Sequence, residues 1–374
     1  MSRQRLVVKI GSSSLTTKQG TLSMEKVSLF VKAIAKLKAD GHEVIMISSG
    51  AVAAGFGAIG YPTRPVTIQG KQAAAAVGQG LLMQAYIEQF KKFSLTPAQL
   101  LLTRQDFADQ TRYANAYSTL TELLKRGAIP IINENDSISI EELTFGDNDM
   151  LSALVSGLIH ARTLCLMTDV NGLYDANPQK DPNAKKIHFI PQLTDDLMDK
   201  AGESGSKVGT GGMKSKVSAA KTALSLGVNV FIGKGNYTDM FLDILAGKGD
   251  GTYIGSFAHE TVMPTTKQWI ALHSTITAYL IVDRGAEKAL VSRGKSLLPV
   301  GIKHVKGSFN KGDVIGVLNE DNVMIGKGKA TMTYEELIRY QQSQNDASSQ
   351  RKQKQPVVIH RNEWVPEEKE KMKQ

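Results

Sequence analysis

Six short apolar runs in the first 250 residues alternate with longer segments of helical periodicity, and this alternation restricts the chain more than any other feature. The runs are Leu6–Ile10, Val44–Ile47, Gln99–Leu102, Ile129–Ile132, Thr163–Met167 and Val228–Ile232. Between them lie Met24–Asp40 closed by Gly41, Gly70–Lys92, Arg112–Arg126 closed by Gly127, Asp149–His160, and Met213–Leu226 closed by Gly227. Glycine after a helix supplies the left-handed residue that ends it. Strands joined through helices cannot pair as tight hairpins, so the pattern predicts an α/β fold with a mainly parallel open sheet sandwiched by helices. Such sheets bind ligands beyond the carboxyl ends of their strands.

From about Trp269 the rhythm changes to short β-like runs: Ala278–Val282, Gly301–Val305, Asp313–Leu318, Val323–Gly326 and Pro356–His360. Helical patterns are fewer there, chiefly Gly285–Arg293 and Thr333–Tyr340. A chain of 374 residues is too long for one core, since single cores stop growing near ~250–300 residues. The expected division is a domain over 1–257, a linker over 258–273, a small mostly-β domain over 274–365 and a frayed tail over 366–374. Gln341–Gln355 lacks a large apolar residue and reads as a solvated loop.

Composition mainly excludes. No run of ~18 apolar residues occurs, and the apolar stretch after the basic start Met1–Arg5 is too short for a signal-peptide core, so no membrane contact and a cytoplasmic location are expected. One cysteine, Cys165, cannot form an internal disulfide or a cysteine-rich metal site. The formal charge of +9 divides into 27 Lys/Arg against 23 Asp/Glu in 1–257 and 18 against 13 in 258–374. That bias suits solubility, anionic small molecules or nucleic acid equally and selects none of them.

Loops that suit an anion follow three of the strands: Lys9–Thr16 after the first, Ser48–Gly55 after the second, and Asn133–Asp136 after the fourth, with Phe145–Asp149 heading a helix. Glycine and serine let backbone amides approach an anion, and a helix N-terminus adds unpaired N–H groups and its dipole. Lys9 follows the core run Leu6–Val8, where a charge usually has an anionic partner. Gly209–Lys216 leads into a helix with Lys214 and Lys216 in its first turn, which the dipole disfavours unless an anion such as a nucleotide polyphosphate lies between.

Other chemistries lack their signatures. There is no Gly-x4-Gly-Lys-Ser/Thr loop, and Gly55–Gly60 matches the dinucleotide fingerprint in letters but begins several residues after its strand and lacks the acidic residue about twenty positions on. The histidines show no zinc-type pairing, and Ser49 lies outside a hydrolase elbow.

Taken together, Val7–Ser12, Ser48–Gly55, Ile132–Asp136, Phe145–Asp149, Leu166–Tyr174 and Gly209–Lys216 resemble the amino-acid kinase family in order and spacing. Ser274–Trp364, including Ser296–Ile302, resembles the PUA domain. The resemblance implies ATP-dependent phosphorylation of the side-chain carboxylate of L-glutamate to glutamyl 5-phosphate, the first step towards proline, with Mg²⁺ accompanying ATP. Carried over by motif, Lys9 and Lys216 hold the transferring phosphoryl group and Asp149 organises them. Ser49, Asn133, Asp136 and Asn148 bind glutamate. Lys9, Thr168, Asp169 and Thr210–Lys216 (Thr210, Gly211, Gly212, Met213, Lys214, Ser215 and Lys216) contact the nucleotide, and no side chain is assigned as a metal ligand. The same resemblance implies a homo-oligomer, commonly a tetramer, feedback inhibition by proline, and hand-off of the labile acyl phosphate to a glutamyl phosphate reductase.

The chemistry needs no general base. A glutamate side chain, with pKa ~4.3, is already an anion at neutral pH, so the obstacle is repulsion between carboxylate and phosphates, which lysines and glycine amides relieve. Two other readings remain open: a family member acting on acetylglutamate, aspartate, carbamate or a nucleoside monophosphate, and a primarily RNA-binding protein. The free α-amino group of the acceptor separates the first of these from glutamate. The second leaves the loops of 1–257 without a role and finds no aromatic-interleaved basic stripe in 274–364.

Overall fold

The computed structural model describes residues 3–137, 148–176, 181, 183–193, 212–256, 265–272, 274–345 and 356–367. The chain forms two compact units, Met1–Val262 and Met263–Gln374.

The first unit is built on an eight-stranded sheet. In chain order its main elements are β1 (Arg5–Ile10), α1 (Met24–Ala39), β2 (Glu43–Ser48), α2 (Ala51–Gly55), α3 (Ile68–Lys91), β3 (Pro97–Leu102), α4 (Arg104–Ala108), α5 (Gln110–Lys125), β4 (Ile129–Glu134), α6 (Asn148–Leu158) and β5 (Thr163–Met167). The short strands β6 (Leu173–Tyr174), β7 (Lys186–Ile187) and β8 (Phe189–Ile190) follow, then α7 (Met213–Ser225), β9 (Asn229–Gly233), α8 (Met240–Leu245) and β10 (Gly251–Ile254). The sheet order is β3-β4-β2-β1-β5-β9-β10-β8. All six expected strands pair in parallel. The sequence reading missed β10, which runs antiparallel to β9, and the short β8 beside it. Both are brief, and β10 begins with glycine, so neither carries a clear period.

Period-two alternation sorts the central strand. Leu6, Val8 and Ile10 enter the core made with α1, α3 and α8, including Phe30, Tyr86, Phe90 and Phe241. Val7 and Lys9 therefore project from the opposite face, where α6 packs against β1. Helix ends follow the expected chemistry: Ser23, Thr67 and Asp109 accept backbone hydrogen bonds at the starts of α1, α3 and α5, and Gly41, Gly127 and Gly227 take positive φ after α1, α5 and α7.

Helices α2 and α3 cross at backbone contact. A Cβ on Gly78 would lie 1.8 Å from the Ala51 carbonyl oxygen, and one on Gly55 would lie 2.1 Å from that of Ala74. Neither side can yield without moving backbone. Gly78→Ala is expected to cost about 1–3 kcal/mol, the overpacking range, read as a lower denaturation midpoint with unchanged slope. An unaltered midpoint would contradict the crossing.

The second unit has a five-stranded sheet in the order β12-β11-β13-β14-β15, formed by β11 (Ile276–Val282), β12 (Ile302–Lys306), β13 (Val314–Leu318), β14 (Met324–Ala330) and β15 (Ile359–Pro366). Only the β11–β13 pair is parallel. Its core gathers Leu280, Val282, Ile315, Val317, Leu337, Ile359 and Trp364.

Two expectations need correction here. Residues 265–272 of the expected linker form a helix that packs on β15. The expected loop 341–355 begins as helix, because Tyr334–Asn345 is continuous and Gln341 donates from Nε2 to the carbonyls of Pro299 (3.2 Å) and Ile302 (3.0 Å). Gln is a good helix former and occupies three of the five positions 341–345, so a segment without large apolar residues extends an existing helix readily. Residues 346–355 and 368–374 of the expected loop and tail lie outside the described residues.

Candidate active site

Strands β1, β2, β4, β5 and β9 end along one edge of the sheet, and the sequence-marked residues gather there. Lys9 is the penultimate residue of β1, and Ser49 follows β2 directly. Asn133 belongs to β4 itself, which runs two residues further than expected because Leu101 and Leu102 of β3 pair with Asn133 and Glu134. Thr168 follows β5, its hydroxyl 3.1 Å from Asp169 Oδ1, with Thr168 buried and Asp169 exposed.

Helix α6 aims its first turn at this edge. Asp149 is fully buried there, and its oxygens are shared: Oδ1 lies 2.5 Å from Lys9 Nζ, and Oδ2 lies 3.0 Å from Lys216 Nζ and 2.8 Å from Ser215 Oγ. Lys9 and Lys216 are only 5% and 7% exposed. Burial pushes the Asp149 carboxyl up, but the two ammonium groups more than reverse this and hold it below the usual carboxylate range. The ion triad joins β1, α6 and α7 and carries one net positive charge. That surplus, set in a buried site, is suited to an anion.

The α7 N-terminus adds to it. Gly212 occupies the N-cap, among the described residues neither a side-chain cap nor any atom within 4 Å of a Cβ there is found, and Met213–Lys216 form the first turn. Uncapped amides and the helix dipole favour a phosphate. Lys214 is exposed, unlike Lys216. Thr210 and Gly211, together with Phe145–Asp147, lie outside the described residues.

A second network runs from α6 towards α3. Asn148 Nδ2 donates to Ser49 Oγ (2.9 Å) and to Asn133 Oδ1 (2.8 Å), and Asn133 Nδ2 donates to Gln79 Oε1 (2.9 Å). The Glu134 backbone N–H also donates to Asn133 Oδ1, at 2.9 Å. Gln79 lines a cavity of about 290 Å³ with Ala51, Gln99, Glu134, Asn135 and Asp136. Burial pushes the Asp136 carboxyl up to about 6, with Arg64 pulling weakly the other way. Sequence reading missed Gln79. Its signal is slight: a polar residue between Gly78 and Gly80 in an alanine-rich helix.

A sheet edge with two buried lysines bridged by one carboxylate, beside an open helix N-terminus, defines a phosphotransferase of the amino-acid kinase type: residues 4–234 match the amino acid kinase family, and the chain belongs to it. Residues 278–347 match the PUA domain. Within that family the chain is similar to glutamate 5-kinase: 60% identical over 374 residues to that of Halalkalibacterium halodurans, covering 99% of each chain. It is also 59% identical over 367 residues to that of Bacillus cereus strain B4264, covering 98% of this chain and 100% of the other. Among solved structures, carbamate kinase from Giardia lamblia bound to AMP-PNP aligns at 17% identity and TM-score 0.49, covering 68% of this chain and 98% of that one. No described helix is long and apolar enough to cross a membrane.

Proposed function

We propose that the protein transfers the γ-phosphoryl group of ATP to the side-chain carboxylate of L-glutamate, giving glutamyl 5-phosphate and ADP. The observation that carries this reading is the Lys9–Asp149–Lys216 triad with the Ser49–Asn148–Asn133 network beginning at the adjacent residue. ATP supplies the phosphoryl group. Lys9 and Lys216 neutralise its developing charge, and Asp149 holds both side chains in place before substrate arrives. The first turn of α7, with Gly212, Met213, Lys214 and Ser215, receives the phosphates, and Thr168 and Asp169 lie beside the nucleotide. Ser49, Asn133 and Asn148 hold glutamate, and Asp136 accepts its α-ammonium group.

Among the described residues no group of three or more His, Cys, Asp or Glu could cage a metal ion. This donor set suits Mg²⁺ carried in on the nucleotide phosphates, since that ion retains waters and needs few carboxylates. Homo-oligomerisation, feedback inhibition by proline and hand-off to a glutamyl phosphate reductase belong to the same proposal. ATP consumption measured with glutamate, N-acetylglutamate and aspartate, with and without proline, tests it. Turnover of N-acetylglutamate but not glutamate would overturn it.

Asp136 gives the reading a pH signature. Burial pushes its carboxyl up to about 6 in the ligand-free fold, well above the usual carboxylate range, so glutamate KM should rise as the pH falls through about 6 and the anion is lost. The ionised form is also the disfavoured one, so its penalty is absent below the unfolded value and fully present above the folded one. Asp136→Asn should therefore raise the ligand-free Tm at pH 7.5, weaken glutamate binding and flatten the pH dependence of KM. A variant that keeps the wild-type KM–pH profile would remove Asp136 from the site.

A further inference from the structure

We infer that Gln79 is a further substrate-binding residue, whose side-chain NH2 donates to the α-carboxylate of the amino-acid substrate while its carbonyl holds Asn133. The inference rests on the glutamate-kinase reading and deepens it.

The orientation of the amides follows from one backbone group. The Glu134 N–H can only donate, so the Asn133 atom it meets at 2.9 Å is Oδ1. The other end of Asn133 is then Nδ2, a donor, and the Gln79 atom 2.9 Å from it must be the oxygen Oε1. The same step fixes Asn148, whose Nδ2 meets Asn133 Oδ1 at 2.8 Å, leaving its Oδ1 buried with no hydrogen-bond partner among the described residues. Asn148 is 8% exposed. The network therefore ends at both extremities in groups of known polarity: Asn148 Oδ1 accepts at one end, and Gln79 Nε2 donates at the other. Asn133 does not line the cavity and Gln79 does, so the amide nitrogen is the end of Gln79 left to the cavity.

The cavity explains what it would meet. Its lining includes Glu134 and Asp136 and, among the described residues, no Lys or Arg. An amino acid placed with its ammonium group on Asp136 brings its α-carboxylate to the cavity wall that Gln79 lines, where an amide donor with a fixed direction receives it. The phosphoryl centre lies at the other end of the network, where Asn148, which donates to Ser49, precedes Asp149 in the chain. The substrate's reacting carboxylate belongs there, and its α-carbon end belongs with Gln79. Gly80 lines the cavity as well, and a Cβ on it would meet nothing within 4 Å, so the space beside Gln79 is open.

Gln79→Glu tests this, because it keeps an oxygen for Asn133 and replaces the NH2 with an anionic oxygen of the same size. Initial rates with the full-length enzyme should show glutamate KM raised at least tenfold, with kcat and the KM for ATP within about threefold of wild type. The α-amide of glutamate, assayed as substrate and as competitive inhibitor, offers an NH2 where glutamate has an oxygen. The variant should bind it at least threefold better than wild type does. An unchanged glutamate KM, loss of ATP affinity in parallel with glutamate affinity, or no gain of α-amide binding would each overturn the assignment. A wild-type enzyme that phosphorylates no glutamate would instead overturn the functional reading on which it rests.

Discussion

Lys216→Ala is expected to lower kcat by about two to three orders of magnitude while leaving the fold intact, and Lys9→Ala to do the same. The size is that of losing one preorganised charge contact to a transition state. Both lysines are nearly fully buried and both contact the one carboxylate of Asp149, so each alanine leaves the remaining pair formally neutral. What is lost is the surplus positive charge that draws the phosphates and the acceptor carboxylate together, and no proton transfer compensates. The deficit should therefore appear in kcat more than in glutamate KM and should not recover at high pH, where a missing general base would be replaced by hydroxide. A kcat within threefold of wild type for either variant would sink the mechanism.

The second large effect is on stability. Asp149→Ala leaves two buried ammonium groups facing one another, and breaking a buried ion pair from one side costs ~3–5 kcal/mol. The ligand-free protein should lose that much in denaturant unfolding of the first unit. Because the penalty is uncompensated charge rather than lost packing, ATP should restore part of it by supplying the missing anion. Replacing all three residues together, as Lys9→Met, Asp149→Leu and Lys216→Met, should recover stability and abolish activity. An Asp149→Ala midpoint equal to wild type would mean that the triad is not the buried cluster described.

The parallel sheet and its strand ends were legible in the sequence because period-two and helical patterns are local properties. The order of strands across the sheet was not, and neither were β8 and β10, whose few residues lack a period of their own. The same division runs through the site. Lys9 stood out as a charge beside an apolar run, Asp149 as part of a motif heading a helix, and Lys216 as a cation at a helix start. That the two lysines meet on one carboxylate depends on the face of β1 that Lys9 takes and on how α6 and α7 pack against it. Gln79 was invisible for a similar reason: its role comes from an amide orientation set by the Glu134 N–H, 55 positions along the chain. In the second unit, the segment after Tyr340 was misread because polar composition was taken to mean a loop, whereas Gln341 reaches two carbonyls that no local pattern reveals.

The central place of β1 has a consequence for synthesis. Its neighbours are β2, which follows soon after it, and β5, which ends only at Met167. One edge of the first strand made therefore stays unpaired until nearly half the chain has left the ribosome, and Lys9 meets Lys216's side of the site later still. Long-range pairing of this kind is slow and leaves an open edge in the meantime. Until β5 is made, the edge of β1 that it covers has no partner strand, and that is the interval in which long-range pairing is most exposed to misassociation.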